Sequence, residues 1–182
     1  MASRPADDQR PVLIMAQDEG RFGRVSRPRA CWAPPGVRPT APCQLVREFV
    51  QVFAAVAPQT GELLCLILPT ANTAMMNLFL AYVSQCLAEY FIVMQVDQAG
   101  WHHSRGLQVP DNIRLIAQPA HSPEVNPVEH LWEEVREKYL HNWAFSSLDL
   151  LEERLCQGLN AIMADKELVR SLMGFPHLKV SV

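Results

Sequence analysis

Three short apolar runs constrain the fold of this chain more than any other feature of its sequence. They are Val12 to Ala16, Phe91 to Val96 and Ile113 to Ala117. Runs of this length suit strands better than helices, and strands that are apolar on both faces are typical of parallel strands covered by helices. An acid follows each of the first two runs, at Asp18 and at Asp97. The runs therefore predict a buried parallel sheet with carboxylates where two of its strands end.

The remaining segments predict a hairpin and three helices around these strands. Phe49 to Val56 and Glu62 to Leu68 resemble strands, and the proline and glycine between them suit a chain reversal, so the two should pair antiparallel. Apolar residues at steps of three and four predict helices. These helices cover Thr73 to Tyr90, start again at Asn126-Pro127, and cover roughly Leu148 to Met173. This order of elements predicts an α/β fold with a mixed five-stranded sheet flanked by helices.

The size and composition of the chain suit one domain. It has 182 residues, of which 49% are hydrophobic, and we expect a disordered tail over residues 1–10 and one globular domain over residues 11–182. No run approaches the ~18 apolar residues of a membrane span, and the N-terminus lacks the apolar centre of a signal peptide. The five scattered cysteines are odd in number and suggest no disulfide framework. These features predict a cytoplasmic protein.

Charge is distributed unevenly along the chain. The formal net charge is -3, whereas a self-sufficient DNA-binding protein usually has a basic surplus. Between Gly20 and Arg47, however, there are six arginines and no acid. Four of them are candidate DNA contacts: Arg21, Arg24, Arg27 and Arg29. The same segment is also consistent with a solvated, proline-rich loop that contains an edge strand near Trp32.

Three carboxylates suggest a chemistry for the domain. Asp18 and Asp97 follow predicted strands, and Glu129 stands at the start of a predicted helix. Converging carboxylates repel one another unless hard cations such as Mg²⁺ or Mn²⁺ lie between them. Two such ions about 3.5–4 Å apart can activate an attacking oxygen and stabilise a departing one in phosphodiester chemistry. The three residues are therefore candidate catalytic residues and metal ligands.

Each carboxylate also has a purely structural interpretation. Asp18 and Asp97 are equally suited to turns at strand ends, where an Asp side chain accepts hydrogen bonds from nearby backbone amides. Glu129 stands three residues after Asn126 and suits the reciprocal position of a capping box. The residue pattern alone leaves both interpretations open.

Five segments together resemble a known family. They are Gln17 to Gly23 (QDEGRFG), Trp32 to Gly36 (WAPPG), Val56 to Glu62 (VAPQTGE), Val96 to His102 (VDQAGWH) and Pro119 to Trp132 (PAHSPEVNPVEHLW). The chain resembles the DDE-type transposases of bacterial insertion sequences related to the mariner superfamily. The resemblance implies a ribonuclease-H-like fold, with Asp18, Asp97 and Glu129 as the catalytic triad. It also implies two Mg²⁺ ions, for which Mn²⁺ can substitute, and cut-and-paste transposition of DNA.

The resemblance further implies partners and secondary roles. The DNA partners would be transposon ends and target DNA, bound by a homodimer. Full transposases of this type carry an N-terminal helix-turn-helix domain, which is expected to come here from a separate polypeptide. His102 follows the second aspartate where the family commonly has a histidine, and it would contact DNA phosphate or a metal-bound water, or be a polar loop residue.

Two other functions compete with a transposase. A decayed or domesticated module would keep the fold and serve as a DNA- or protein-interaction domain, although the three acids are intact. A host nuclease acting on RNA–DNA hybrids would share the fold, but the arginine-bearing segment and the Pro119 to Trp132 motif disfavour it.

Overall fold

The structure is a computed structural model that describes residues 4–5, 7–26, 28–120, 122–175 and 178. In this part of the chain, five strands form one sheet and four α-helices lie against it. The strands are β1 Val12–Val25, β2 Leu45–Ala57, β3 Glu62–Leu68, β4 Phe91–Val96 and β5 Ile113–Ala117. The helices are α1 Thr73–Cys86, α2 Val128–Val135, α3 Leu148–Ala164 and α4 Lys166–Met173. Gly100–His103 and Pro123–Val125 form 3-10 turns, and Arg136–Leu140 is a π-helical turn.

The sheet has the strand order β3-β2-β1-β4-β5. β1 pairs antiparallel with β2, and β2 pairs antiparallel with β3. β1 and β4 are parallel, and so are β4 and β5. The predicted mixed sheet of five strands is therefore confirmed, including its hairpin and its parallel half.

Strand β1 is longer than its apolar run predicts. The strand was expected to end at the acids, but it continues through them to Val25. The reason is its second neighbour, because β1 remains paired with β2 after its parallel pairing with β4 ends at Ala16 and Gln95. Asp18 lies opposite Ala54 of β2, just beyond the point where β1 and β4 separate. A cleft opens there in the surface of the sheet.

The core lies on both faces of the sheet, because successive strand residues point to opposite sides. Met15 packs on the α1 face, and Ala16 packs on the face covered by α2, α3 and α4. On the α1 face the helix contributes the buried residues Met76, Phe79, Leu80 and Val83. On the other face α2 contributes Val128, Leu131, Trp132 and Val135. The two covered faces explain why the parallel strands are apolar throughout.

Two predicted helices are wrong in their extent. α1 ends at Cys86 rather than Tyr90, because Leu87 leaves the helical conformation (φ -125°, ψ 40°) as the chain turns towards β4. The single helix predicted over Leu148 to Met173 is broken at Asp165 into α3 and α4. There the Asp165 side chain accepts a hydrogen bond from the Leu168 amide at 2.9 Å, which starts the new helix.

The segment between β1 and β2 contains no strand near Trp32 in its described residues, so that prediction is wrong. Five prolines in residues 28–42 remove backbone donors that a strand needs. The Trp32 side chain is fully exposed. Ser26 donates its amide to the Gln44 carbonyl at 2.8 Å, which closes the base of the segment. Arg27 lies outside the described residues.

The described residues before β1 make local contacts. Arg4 donates to the Asp8 and Arg10 carbonyls, and Arg10 forms a two-point ion pair with the Asp8 carboxylate. The disorder expected over residues 1–10 remains a prediction. Among the described residues, no helix combines the length and apolar character needed to span a bilayer.

Candidate active site

Asp18, Asp97 and Glu129 line one cleft of about 490 Å³. Asp18 comes from β1, Asp97 directly follows β4, and Glu129 lies in the first turn of α2. The cleft is also lined by residues from the connection between β5 and α2, namely Pro119, Ala120, Ser122, Pro123 and Asn126. The three carboxylates that the sequence singled out therefore face a common space.

Asp18 is held from the α2 side by the indole of Trp132. The Trp132 Nε1–H donates to Asp18 Oδ2 at 2.9 Å. The indole also packs on Gly20, where a Cβ atom would come within 2.8 Å of the ring. Because Gly20 has no side chain, the Trp132 indole can lie close enough to β1 to donate to Asp18.

Burial makes the charged form of Asp18 costly. It raises the pKa of Asp18 to about 7, against the lowering effect of the Trp132 hydrogen bond. The negative charges of Glu129 and Glu19 raise the pKa further. Asp18 is therefore a carboxylate that lacks a compensating positive charge.

Asn126 connects the start of α2 to β1. Its side chain is buried, donates to the Gln17 carbonyl at 3.2 Å and accepts from the Val128 amide at 3.1 Å. The capping-box interpretation of Glu129 would require the Asn126 amide to donate to the glutamate. That amide instead donates to the Pro123 carbonyl at 2.9 Å. The Glu129 carboxylate is thus not used for this cap and faces the cleft.

Asp97 is held through one of its two carboxylate oxygens. Its Oδ1 accepts from the Ala99 amide at 2.8 Å, as the turn interpretation expects, and lies 2.8 Å from His102 Nδ1. None of the described residues donates to Oδ2. The His102 hydrogen bond is the main reason that the pKa of Asp97 is lowered. Asp97 lines the cleft and can therefore stay ionised there.

His102 is a buried residue of the 3-10 turn after Asp97. Its Nε2 lies 3.2 Å from Glu19 Oε1, while its Nδ1 faces Asp97. Burial alone would lower the pKa of His102, but the hydrogen bonds to Asp97 and Glu19 outweigh it and raise the pKa to about 9. Because the ring is enclosed and both nitrogens are engaged, the expected contact with DNA phosphate does not fit this structure.

Glu19 is a site residue that the sequence interpretation missed. Besides His102, the Gln17 side chain donates from Nε2 to Glu19 Oε1 at 2.9 Å, and the Trp101 indole donates to the same oxygen at 3.3 Å. One signal was available: strand residues alternate between faces, and Gln17 and Glu19 share the face of the apolar Met15. Two polar residues in succession on a core face indicate a buried polar network.

The candidate arginines have different environments. Arg21 is exposed and stacks on the Phe49 ring, with its guanidinium carbon 3.7 Å from the ring centroid. Arg29 pairs with Glu137 at 2.7 Å. These arginines border a cavity of about 440 Å³ that also includes Trp143.

Arg24 is engaged inside the protein. Its Nε donates to the Phe145 carbonyl at 2.9 Å, its Nη2 donates to the Ser146 carbonyl at 2.7 Å, and its Nη1 pairs with Glu48. Only 13% of its side chain is exposed. The expectation of a DNA contact therefore does not fit Arg24, which fastens the chain before α3 to β1.

The cleft has the chemistry of a site for a hard divalent cation. Its charged groups are all carboxylates, and Mg²⁺ and Mn²⁺ prefer such oxygen ligands. Among the described residues, no three acidic, histidine or cysteine side chains already converge around one point. Burial is the largest cause of the raised pKa of Asp18, and a cation between the carboxylates would stabilise its charged form against both burial and the neighbouring negative charges. The residues therefore fit Mg²⁺ or Mn²⁺.

The chain is similar to a family and to solved structures. Residues 13–152 match the family described as DDE superfamily endonuclease. An uncharacterized protein of Sinorhizobium fredii, y4pE/y4sA, is 37% identical over 113 residues, which are 62% of this chain and 84% of that protein.

The fold is also that of the Mos1 transposase. The Mos1 strand transfer complex has a TM-score of 0.67 at 19% identity over 89% of this chain. The Mos1 mariner paired-end complex with Mn has a TM-score of 0.67 at 18% identity, also over 89%. This chain spans 50% and 52% of those two chains, respectively. The family match covers most of the sequence, and the chain belongs to the DDE superfamily endonucleases.

Proposed function

We propose that residues 11–182 are the catalytic domain of a cut-and-paste DNA transposase. The observation that carries this proposal is the cleft that Asp18, Asp97 and Glu129 share, in which the buried Asp18 lacks a compensating charge. Membership of the DDE superfamily endonucleases supports the nuclease chemistry. The fold shared with Mos1, a transposase, supports transposition as its use.

The three carboxylates would bind two Mg²⁺ ions, or Mn²⁺ in their place. When bound, such ions supply an activated oxygen nucleophile and stabilise the leaving oxygen of the phosphodiester. Asp97 would bind a cation through the oxygen that is not held by Ala99 and His102. Trp132 fixes Asp18, and Asn126 fixes the start of the helix that carries Glu129. The chain's own contribution is to orient these ligands.

The DNA partners would be transposon ends and target DNA. Arg21 and Arg29 would contact the phosphate backbone, and we include Arg27 with them. Phosphate contacts fix register without reading sequence, so recognition of the ends would require a helix-turn-helix domain on a separate polypeptide. Joining two ends implies a homodimer. An enzyme of this kind would act in the cytoplasm, at the nucleoid.

Binding of Mn²⁺ is the first test of this function. Unfolding of the protein would be followed by circular dichroism with and without Mn²⁺, beside Asp97→Asn. Ligand at a hundredfold over its Kd should add ~2.7 kcal/mol to the free energy of unfolding. We expect this stabilisation in the wild-type protein and its loss in the variant. An equal response of both proteins would contradict the proposed metal site.

Cleavage is the second test. Duplex DNA and an RNA–DNA hybrid of the same sequence would be incubated with the protein and Mn²⁺. We expect weak, chelator-sensitive cleavage of the duplex with little sequence preference. Preference for the hybrid would favour a host ribonuclease instead. Efficient, end-specific cleavage by this chain alone would contradict the need for a partner polypeptide.

A further inference from the structure

The loop after β4 is joined to β1 by a buried hydrogen-bonded bridge. It consists of Asp97, His102 and Glu19, with 2.8 Å between Asp97 Oδ1 and His102 Nδ1 and 3.2 Å between His102 Nε2 and Glu19 Oε1. The His102 side chain is fully buried and the Glu19 side chain is 6% exposed. The bridge thus links Glu19 to His102, which are 83 positions apart in the sequence. Glu19 follows the candidate ligand Asp18, and His102 contacts the candidate ligand Asp97.

Glu19 is held away from the metal cleft. One oxygen, Oε1, faces His102, the side-chain amide of Gln17 and the Trp101 indole. A carboxylate that faces three donors already has its charge compensated, unlike Asp18. Glu19 also does not line the cleft that Asp18, Asp97 and Glu129 share. Its contacts identify it as a support for His102.

The imidazole in turn restricts the orientation of Asp97. With the Ala99 amide, it places two donors on Oδ1. A second contact, 3.1 Å from His102 Nδ1 to the Asp97 carbonyl, ties the ring to the backbone of the same residue. Because Oδ1 is held and Oδ2 has no donor among the described residues, the second oxygen is the one available to a cation.

We propose that His102, supported by Glu19, is a positioning residue that turns Asp97 so that its Oδ2 faces the metal cleft. The role of the bridge in metal binding rests on the proposed function, but the bridge itself consists only of protein groups. Groups that orient metal ligands from behind typically contribute 10–100-fold to metal affinity. The bridge would therefore set the affinity of the site while contacting neither metal nor DNA.

The metal part of the test is a titration of the full chain with Mn²⁺ by calorimetry. His102→Gln should weaken Mn²⁺ binding roughly 10–100-fold. Glu19→Gln, which keeps an acceptor oxygen, should weaken it less, and the double variant should bind no more weakly than His102→Gln. His103→Gln is the matched control, because His103 follows His102 in the sequence but has an exposed side chain. Mn²⁺ affinity within about twofold of wild type in His102→Gln, or additive losses in the double variant, would overturn the inference.

The bridge itself is tested without metal, by NMR of the protein in EDTA. His102 should show slowly exchanging ring protons on both nitrogens, assigned by their loss in His102→Gln. Protection of both protons supports the bridge, and rapid exchange at Nδ1 overturns it. If the wild-type protein binds no Mn²⁺, the proposed function fails, and the NMR result still decides whether His102 holds Asp97. Thermal unfolding in EDTA identifies any variant that has not folded.

Discussion

The carboxylate cleft and the arginine-bearing segment, residues 21–47, are held in opposite ways. In the cleft, Asp18 and Asp97 each have a specific donor, which is Trp132 of α2 for Asp18 and His102 of the following turn for Asp97. In the segment, the described residues between β1 and β2 are irregular and Trp32 is fully exposed. Two carboxylates of the cleft are thus each held by a specific donor, whereas most of the described residues between β1 and β2 are exposed.

Residues of the same chemical type also differ in how they are held. Arg21 and Arg24 are three positions apart on β1, yet one is exposed on a phenylalanine ring and the other is enclosed by two carbonyls and Glu48. Charge alone cannot distinguish them. Four predictions test whether the cleft carries the chemistry and whether the arginines divide into structural and DNA-contacting residues.

The largest effect is expected from the carboxylates. Asp97→Asn keeps the shape of the side chain but removes the charge that would bind a cation at its open oxygen. A bound metal ion supplies several kcal/mol of transition-state stabilisation, so Mn²⁺-dependent DNA cleavage should fall by roughly 10³-fold. Nicking of a supercoiled plasmid measures this rate.

Asp149→Asn is a matched control, because Asp149 lies in the first turn of α3 and not in the cleft. It should keep the wild-type cleavage rate. Asp97→Asn that cleaves as fast as this control would show that the cleft is not the site of cleavage.

The location of the carboxylates could be inferred from sequence for a physical reason. Asp97 follows β4, Glu129 lies in the first turn of α2, and Asp18 lies just after the apolar run of β1. Apolar periodicity locates such runs and elements well. Their catalytic roles stay a prediction that rests on the family resemblance. The bridge from Glu19 to His102 could not be inferred in this way. It depends on the orientation of a ring in a 3-10 turn, which no periodicity describes.

The extent of β1 was missed for a related reason. The apolar run ends at Ala16 because the parallel pairing with β4 ends there. The strand continues because β2 still supplies backbone partners as far as Val25. Such long-range pairing is absent from the local pattern. The break at Asp165 is different, since an Asp three residues before Leu168 is a local cap signal that the apolar spacing concealed.

The next effect is a loss in the free energy of unfolding when an arginine of β1 is removed. Arg24→Ala would leave the Phe145 and Ser146 carbonyls without their charged donor. Hydrogen bonds to charged groups contribute about 1.5–3 kcal/mol, so the free energy of unfolding in urea should fall by about 2–3 kcal/mol. Arg21→Ala should change it by about 1 kcal/mol or less, since it loses only an exposed ring contact. Equal losses would remove the distinction between the two arginines.

The pH dependence of stability should reveal the uncompensated carboxylate. The pKa of Asp18 is about 7 in the folded protein, above its ordinary value of 3.8, so the folded state binds the proton more tightly. Stability therefore falls as pH rises from about 4 to 7. The pKa of His102, raised to about 9 from 6.5, acts in the same direction at higher pH. His102 adds stability that is complete below about pH 6.5 and is lost as pH rises through 9.

Urea unfolding in EDTA should thus show a decrease of about 1–2 kcal/mol between about pH 5 and pH 7. Asp18→Asn should flatten this decrease, because the variant has no proton to lose. Excess Mn²⁺ should oppose the decrease in the wild-type protein by neutralising the ionised carboxylates. A wild-type protein that becomes more stable over this range without metal would show that Asp18 is not an uncompensated charge.

The smallest effect is expected on DNA affinity when Arg21 is removed. It tests whether the arginine-bearing segment, rather than the cleft, contacts the phosphate backbone. If Arg21 contacts a phosphate, Arg21→Ala should weaken binding to any duplex severalfold and reduce the salt dependence by about one counterion. Fluorescence anisotropy at several salt concentrations measures both, with Ca²⁺ replacing Mn²⁺ to prevent cleavage. Lys166→Ala is the comparison, because that cation pairs with Glu62 on another surface and should leave the slope unchanged. An unchanged slope in Arg21→Ala as well would place the DNA elsewhere. The cleft would then remain a metal site whose substrate approaches past Pro119 and Pro123, which line the cleft after β5.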